Sequence, residues 1–348
     1  MASIYRDAHL TLAAATSGAA TEGFLHYGHL AAEQKLPFWM EWKTHSGQQS
    51  TLGARIVPAL TTHTPAGDDS PPLSLRGWTL QESKLSRRVL TYTREELWWS
   101  CLGESACECG TLDKLQEEEK RLEFNSFYSI NNPQEAYKNW YYTVSEYTSR
   151  ALTNPLDMLP AISGIARVVQ DITNSQYIAG LWLDNFIFGL TWQAGTLHTI
   201  KSSSAALALS DYRAPTFSWA SVERAIYDTI GHWFSANSCT VIETESKVPG
   251  RNPLGQVQSA SVTLRGLIFK TTLQIEYSFF GIHDISSYVV PCADTKLTFY
   301  PDMALESFEA INPDGVTERL SLGHLCSYSI LDIAWAAAAG KKPFATIS

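Results

Sequence analysis

The segment 76–101 constrains the fold more than any other part of the chain. Its first part, 78–85, holds apolar residues near helical spacing and no proline, which predicts a short helix. We expect Thr79 to cap this helix and Glu82, three residues later, to return the contact as in a capping box. The β-branched and aromatic residues within 89–101 then predict two strands, so the segment is expected to form a helix–strand–strand unit.

The charged residues of this unit admit two interpretations. In the first, Trp78 and Trp98 belong to the core and Arg76 forms an ion pair with Glu82, since buried charges survive mainly when they are paired. In the second, Arg76, Gln81 and Glu82 line a ligand site. The residues alone leave both interpretations open.

The composition of the chain predicts a large packed core. Of the 348 residues, 45% are hydrophobic and 18% are charged, which argues against overall disorder. The formal net charge is −9, so no basic surface for nucleic acid or an anionic membrane is expected. No run reaches the ~20 apolar residues of a membrane span, and no secretory pattern opens the sequence. We therefore expect a soluble cytoplasmic protein that binds no nucleic acid.

The six cysteines predict neither a disulfide scaffold nor a metal centre. A chain of this length does not need disulfides to stabilise its core. Cys101, Cys107 and Cys109 lie close together, but structural zinc sites use C-x2–4-C pairs with a second pair further on. No phosphate-binding loop, nucleophile elbow or H-E-x-x-H motif occurs in the sequence, so no cofactor is expected.

The chain opens with a strand that needs neighbours. Residues 1–8 are typical of the end of a helix, and 9–16 form a nearly continuous apolar strand. Such a strand after a helix is typical of a parallel sheet that is covered on both faces. We therefore expect further strands beside it, and an open sheet edge where they are missing.

The rest of the chain predicts helices followed by a small sheet. Residues 43–74 are typical of a loop, and 111–126 of a charged linker or solvated helix. An apolar stripe at helical spacing within 140–151 predicts one helix, and Asn154 with Pro155 is expected to begin the next. Alternation with period two predicts strands of a small antiparallel sheet at 239–243, 261–269 and 296–300.

The segment 76–101 resembles the hallmark of the fungal heterokaryon-incompatibility (HET) domain. That hallmark has the form R-x-W-T-x-Q-E-x-x-L, followed by a short strand and a tryptophan-rich segment that ends in cysteine. The matching residues here are Arg76, Trp78, Thr79, Gln81, Glu82, Leu85, Trp99 and Cys101. Residues 4–8 and 16–23 are similar to the middle of that domain. The pattern within 140–166 and the segment 214–221 resemble the region that follows the domain in many HET proteins.

The resemblance implies that residues 1–110 correspond to the C-terminal portion of a HET domain, because the family's earlier motifs do not occur before them. Either Met1 is a wrongly assigned start, or the chain is a degenerate fragment or a shortened separate protein. The fold expected is an α/β partial domain with an incomplete, HET-like sheet, followed by an α+β region with a small antiparallel sheet. The expected domains after the first are a helical region at 111–235 and a small β-rich region at 236–348.

The resemblance also implies a function. HET proteins are regulatory or signalling modules that trigger programmed cell death on non-self recognition, and they act through protein partners. As an alternative, HET domains are similar to TIR-like domains, some of which hydrolyse nicotinamide dinucleotides with a glutamate. A carboxylate suits that reaction because it stabilises an oxocarbenium-like centre. On this alternative, Glu82 would be the catalytic carboxylate and Arg76 would bind a phosphate. The regulatory interpretation, without enzymatic activity, is preferred.

Overall fold

The chain divides into two compact units, Met1–Ser129 and Ile130–Ser348, in a computed structural model. The structure describes residues 2–25, 38–43, 47–54, 71–93, 96–108, 127–194, 212–222, 226–227, 239–266, 274–277, 286–292, 295–300, 324–325 and 345–347. Helices and strands are mixed, and the sheets are small and mostly antiparallel. At this level the expected fold class is confirmed, whereas the three predicted domains stay a prediction.

The bounds of the described elements are as follows. The α-helices are α1 (Ala2–Asp7), α2 (Gly77–Leu85), α3 (Pro133–Thr148), α4 (Ser163–Thr173) and α5 (Phe186–Gly189). The strands of the first unit are β1 (Thr11–Ala14), β2 (Phe38–Lys43), β3 (Gln49–Ala54), β4 (Arg88–Tyr92), β5 (Leu97–Cys101) and β6 (Ser105–Cys107). Those of the second unit are β7 (Tyr177–Ile178), β8 (Leu181–Trp182), β9 (Gln193–Ala194), β10 (Ile226–Tyr227), β11 (Cys239–Lys247), β12 (Ser259–Gly266), β13 (Gln274–Tyr277), β14 (Ser286–Cys292), β15 (Thr295–Tyr300), β16 (His324–Leu325) and β17 (Ala345–Ile347).

The main sheet of the first unit has the strand order β1-β4-β5-β6. β1 pairs in parallel with β4, with Thr11 opposite Val89, while the other two pairs are antiparallel. The predicted parallel pairing of the first strand is therefore confirmed, although the sheet as a whole is mixed. Among the described strands β1 has one neighbour and lies at the sheet edge. β2 and β3 form a separate hairpin, so the loop predicted for 43–74 is wrong over β3.

The two faces of this sheet differ in burial. Side chains alternate between faces along a strand, so Thr11, Val89 and Trp98 share one face. We call it the helix face, because the Ser86 hydroxyl at the end of α2 lies 2.7 Å from the Thr11 hydroxyl, and Val89 and Trp98 are buried there. The opposite face, called the open face, carries Leu12, Leu90, Tyr92, Leu97, Trp99 and Ala106. None of these six side chains is fully buried.

In the second unit, α3 and α4 supply most of the described core. Asn132 caps α3 by accepting a 2.9 Å hydrogen bond from the Gln134 N–H, and Pro133 occupies the first helical position. The stripe predicted for this helix is confirmed at Trp140, Val144 and Tyr147, which are all buried. It is wrong at Ala151, which is exposed and lies beyond the end of the helix. Burial also raises the pKa of Tyr147, whose hydroxyl donates to the Met158 carbonyl at 2.7 Å.

The helix predicted to begin at Asn154 is wrong in its form. Asn154 does cap the chain there, accepting from the Leu156 N–H at 3.1 Å. However, two short 3-10 turns follow, Pro155–Asp157 and Pro160–Ile162, and the α-helix begins only at Ser163. Pro160 explains the difference, because it has no N–H to donate and clashes with the preceding turn of a continuous helix.

A tight turn between β7 and β8 anchors two buried tryptophans. Ala179 and Gly180 both have positive φ, 48° and 99°, as a two-residue type I′ hairpin turn requires. The Gly180 carbonyl accepts hydrogen bonds from the indole N–H groups of Trp140 and Trp219, at 3.1 and 3.0 Å. The Ser218 hydroxyl donates to the Ala179 carbonyl. The predicted burial of Trp219 is thus confirmed.

The C-terminal strands form two sheets where one was predicted. The three predicted strands are present as β11, β12 and β15, but they are divided between the sheets. β11, β12 and β17 form one antiparallel sheet, and β13 to β16 form another. β11 and β12 pair over nearly their full length, with a register shift between Val241 and Glu243. The antiparallel character is confirmed, whereas the count of one sheet is wrong.

Candidate functional site

The helix α2 carries most of the HET-like motif, and its N-terminus differs from the prediction. Arg76, with extended φ and ψ of −91° and 130°, is the N-cap residue, and its side chain makes no capping hydrogen bond. Thr79 lies one turn into the helix, so the predicted capping box with Glu82 is wrong. Instead, the Thr79 hydroxyl contacts the Leu73 carbonyl at 2.6 Å and the Arg76 carbonyl at 2.7 Å. Thr79 therefore ties the incoming chain to the first helical turn.

Arg76 reaches the loop that follows β1. Its Nη2 donates a 2.6 Å hydrogen bond to the Gly18 carbonyl, although the side chain as a whole is exposed. On the other side of Gly18, the backbone N–H donates to Glu22 Oε2 at 2.6 Å. Gly18 thus joins a guanidinium and a carboxylate that are 54 positions apart in the sequence. Nothing in the sequence near Gly18 or Glu22 indicates a contact so distant in the chain.

Glu82 faces α1 rather than Arg76. Its half-buried carboxylate accepts a hydrogen bond from the Tyr5 hydroxyl. Burial, this hydrogen bond and the negative charge of Glu82 raise the pKa of Tyr5 from 10.0 to about 12. Among the described residues no ion pair joins Arg76 to Glu82, so that predicted pair is wrong. Arg76 precedes the helix with an extended backbone, and Glu82 lies six positions later within the helix, so the two side chains are not neighbours on one helix face.

Two further motif residues belong to the packed interior of the first unit. Gln81 and Leu85 are both buried, and the Leu85 carbonyl accepts a 2.8 Å hydrogen bond from the Tyr128 hydroxyl. Trp78 is only half-buried, so its predicted place in the core is not fully realised, whereas Trp98 is buried as predicted. The motif therefore packs α2 against its surroundings through Gln81 and Leu85.

The last two motif residues lie on the other side of the sheet. Trp99 is on the open face, opposite Leu90 and Ala106, and Cys101 lies on the same face opposite Arg88. The eight motif residues are thus divided between α2 on the helix face and β5 on the open face. They do not line one continuous site.

The cysteines next to the motif are separated as well. Cys101 is half-buried and Cys107 is buried, and both are free thiols. Because Cys107 is opposite Trp98, it lies on the helix face, away from Cys101. Cys109 is outside the described residues. In the part of the chain that the structure describes, no group of three or more His, Cys, Asp or Glu side chains has a metal-binding arrangement.

The side chains around α2 provide an exposed guanidinium, which can bind an anionic group, and one carboxylate whose hydrogen-bond partner is defined. Arg76 keeps part of its guanidinium available to solvent, and Glu82 is held by Tyr5. The motif in the sequence identifies Glu82 as a candidate site residue. Its contact with Tyr5 could not be predicted from the sequence, because this contact depends on α1 packing against α2.

Comparisons with protein-family models, with curated proteins and with solved structures find no match to this chain. Among the described residues no helix has both the length and the apolar character needed to cross a bilayer. What the chain does is therefore inferred from its own residues and from the motif that they form.

Proposed function

We propose that this chain is a regulatory module of the HET type, which acts through protein contacts in fungal non-self recognition and programmed cell death. The observation that carries the proposal is the ordered motif from Arg76 to Cys101, with its helix followed by two strands. On this proposal the module acts in the cytoplasm and resembles the C-terminal portion of a HET domain.

The contacts of the motif side chains support a structural and signalling role over a catalytic one. Thr79 and Arg76 bind backbone carbonyls of the flanking loops, and Gln81 and Leu85 are buried. A residue that holds the fold in this way is required for the module to present its surface, whether or not any reaction occurs. Such a role explains why an arginine, a threonine and a glutamine occur together on one short helix.

The experiment is induced expression of the full chain in a filamentous fungus, with colony growth and viability as the readouts. We expect growth arrest with the wild type and normal growth with Thr79→Val, which removes the two hydroxyl contacts at nearly constant volume. Arg167→Ala is the control, because this exposed arginine contacts Gln170 within α4, a helix of the other unit. Normal growth with the wild-type chain at full expression would contradict the proposal.

The second candidate function is hydrolysis of a nicotinamide dinucleotide. One observation favours it: the half-buried Glu82 carboxylate lies in α2, and Arg76, whose side chain is exposed, is the N-cap residue of the same helix. A carboxylate beside a cation for phosphate is the pairing that this hydrolysis needs. Against it, the two side chains do not pair, and Glu82 is engaged by Tyr5.

Incubation of the purified chain with NAD separates the two candidates. The regulatory proposal expects no loss of NAD above the blank. The hydrolase candidate expects a loss that disappears in Glu82→Gln, a variant whose amide oxygen still accepts from Tyr5. Loss of NAD that is equal in both proteins would point to a contaminant and would remove the hydrolase candidate.

A further inference from the structure

The hairpin formed by β7 and β8 places two buried hydrogen-bond donors side by side. Tyr177 and Trp182 are a cross-strand pair, and the centroids of their rings are 5.0 Å apart. Trp182 is 0% exposed and Tyr177 is 7% exposed. In the part of the chain that the structure describes, neither the Tyr177 hydroxyl nor the Trp182 indole N–H has a hydrogen-bond partner. A buried polar group of this kind is unfavourable unless some group accepts its proton.

Two other tryptophans of the same core provide the comparison. Trp140 packs against both rings of the pair, with centroids 6.0 Å from Tyr177 and 5.5 Å from Trp182. Its indole N–H nevertheless donates to the Gly180 carbonyl, as does that of Trp219. A carbonyl oxygen has two lone pairs, so these two bonds use the acceptor capacity of Gly180. The hairpin turn therefore provides an acceptor for two indoles but not for Trp182.

The chemistry of the two donors indicates what they bind. An indole N–H can only donate, whereas a phenol hydroxyl can both donate and accept. Burial, with a further contribution from Tyr147, raises the pKa of Tyr177, so its hydroxyl keeps its proton at neutral pH. A ligand that serves both groups needs acceptor capacity and must be small enough for a core. Water meets both needs without bringing a charge into the interior, and internal waters typically bind about three buried polar groups.

Tyr147 is a further polar group in this part of the core. Its hydroxyl interacts electrostatically with that of Tyr177. Its proton is donated to the Met158 carbonyl at 2.7 Å, which leaves the lone pairs of its oxygen to accept from a water. The surroundings of the pair are therefore polar on one side and aromatic on the other.

We propose that an ordered water molecule is bound inside the second unit, where it accepts hydrogen bonds from the Tyr177 hydroxyl and the Trp182 indole N–H. Tyr177 belongs to β7 and Trp182 to β8, so this water joins the two strands of the hairpin through their side chains. The site goes beyond the proposed function and does not depend on it.

The direct test is NMR of the full chain with isotope-labelled tryptophan, in which nuclear Overhauser effects between water and the indole protons are measured. A water that is held in contact with an indole proton produces such an effect. We expect one at Trp182 and none at Trp140 or Trp219, which are equally buried but donate to Gly180. The missing signal of Trp182→Phe assigns the resonance.

The same measurement on Tyr177→Phe removes one ambiguity. A hydroxyl proton that exchanges with solvent can produce the same effect at a neighbouring indole, and this variant has no such proton at position 177. Because the Trp182 N–H still needs an acceptor, we expect the effect to remain in the variant. An effect that disappears in Tyr177→Phe would come from the hydroxyl proton and would contradict a bound water.

Urea unfolding of Tyr177→Phe gives a second readout, whose sign separates the two alternatives. If the hydroxyl binds a water, its removal should lower the urea midpoint by about 0.3 to 1 M. If the hydroxyl has no partner of any kind, its removal should leave the midpoint unchanged or raise it. Tyr142→Phe is the matched control, because it removes a hydroxyl from a tyrosine that is 44% exposed and should leave the midpoint unchanged.

Three further results would overturn the proposal. The absence of a water effect at Trp182 would show that the pair is dry, and an upfield-shifted indole proton would then indicate an N–H that points at a ring face. A midpoint of Tyr177→Phe at or above that of the wild type would show that the hydroxyl binds nothing. A wild-type midpoint that rises with chloride at constant ionic strength, but not in Tyr177→Phe, would make a small anion the occupant.

Discussion

The turn between β7 and β8 gives the sharpest prediction about stability. Gly180 has φ of 99°, and a Cβ added to it would lie 2.7 Å from Trp219 Nε1 and 2.9 Å from Trp219 Cε2. Gly180→Ala therefore introduces two costs at once, a backbone conformation that suits glycine and a collision with a buried indole. The same indole donates to the Gly180 carbonyl, so moving it away breaks a buried hydrogen bond.

The expected magnitude follows from these contacts. Placing alanine in the left-handed region costs about 1 to 2 kcal/mol. Forcing extra volume into a packed core costs about 1 to 3 kcal/mol, and leaving the Trp219 N–H without its acceptor costs a similar amount. The steric cost and the hydrogen-bond cost do not simply add. If the indole stays in place it clashes with the new Cβ, and if it moves away it loses its hydrogen bond to the Gly180 carbonyl. We expect a total of about 3 to 5 kcal/mol, a large part of the ~5 to 15 kcal/mol that stabilises a typical domain.

The assay is urea unfolding followed by tryptophan fluorescence, which reports on the buried Trp140, Trp182 and Trp219. With a slope of about 1 to 3 kcal/mol per molar urea, the midpoint of this transition should fall by more than 1 M. Gly47→Ala is the first control, since Gly47 has φ of 80° but nothing within 4 Å of an added Cβ. Gly47→Ala should lower the free energy of unfolding of the first unit by the backbone conformational cost alone, about 1 to 2 kcal/mol. Gly250→Ala, with open space and no positive φ, should be close to neutral.

The result that would refute this reasoning is a Gly180→Ala cost no larger than that of Gly47→Ala. The double variant Gly180→Ala with Trp219→Phe adds a second check, because the smaller ring removes the colliding atoms. Its cost should be less than the sum of the two single variants, as expected for residues in direct contact.

Three other side-chain contacts lead to measurable effects. Ser218→Ala removes the donor to the Ala179 carbonyl and the acceptor of the Ala220 N–H, and it should destabilise the second unit by about 1 to 3 kcal/mol in urea unfolding; a change below about 0.5 kcal/mol would contradict this. Thr79→Val should destabilise the first unit by about 1 kcal/mol, while Thr79→Ser, which keeps the hydroxyl, should lose less; equal losses would mean that the methyl group matters instead. The pKa of Tyr5, raised from 10.0 to about 12, means that the folded state holds this proton more tightly than the unfolded state, so its contribution is present below pH 10 and is lost as the pH rises to about 12. The urea midpoint of the wild type should therefore fall towards that of Tyr5→Phe between pH 10 and 12, and a constant difference over this range would show that Glu82 does not hold the Tyr5 proton.

The elements that the sequence predicted correctly are those with a strong local pattern. α2 has its apolar residues at helical spacing, and α3 has a clear buried stripe with Asn132 and Pro133 before it. β4 and β5 are rich in β-branched or aromatic residues, and β11 and β12 were predicted from alternation with period two. In each case the information lies within about ten neighbouring residues, so no tertiary contact is needed to find the element.

The contacts that define the candidate site were not predictable in the same way. Arg76 with Gly18 and Tyr5 with Glu82 join residues far apart in the chain, and they exist only because α1, the loop after β1 and α2 pack together. The motif suggested an Arg76–Glu82 pair, but Arg76 lies at the N-cap of α2 and donates to Gly18, whereas Glu82 accepts from Tyr5. The helix after Asn154 is a different case, because Pro160 is a local signal in the sequence that a continuous helix is interrupted there.

Colony growth of a filamentous fungus that expresses the wild-type chain, Glu82→Gln or Thr79→Val at matched levels compares the central alternatives in one measurement. If the chain acts as a regulatory module whose motif holds the fold, the wild type and Glu82→Gln arrest growth and Thr79→Val does not. Arrest that is lost in Glu82→Gln but kept in Thr79→Val would contradict this account and would identify the carboxylate as the active group.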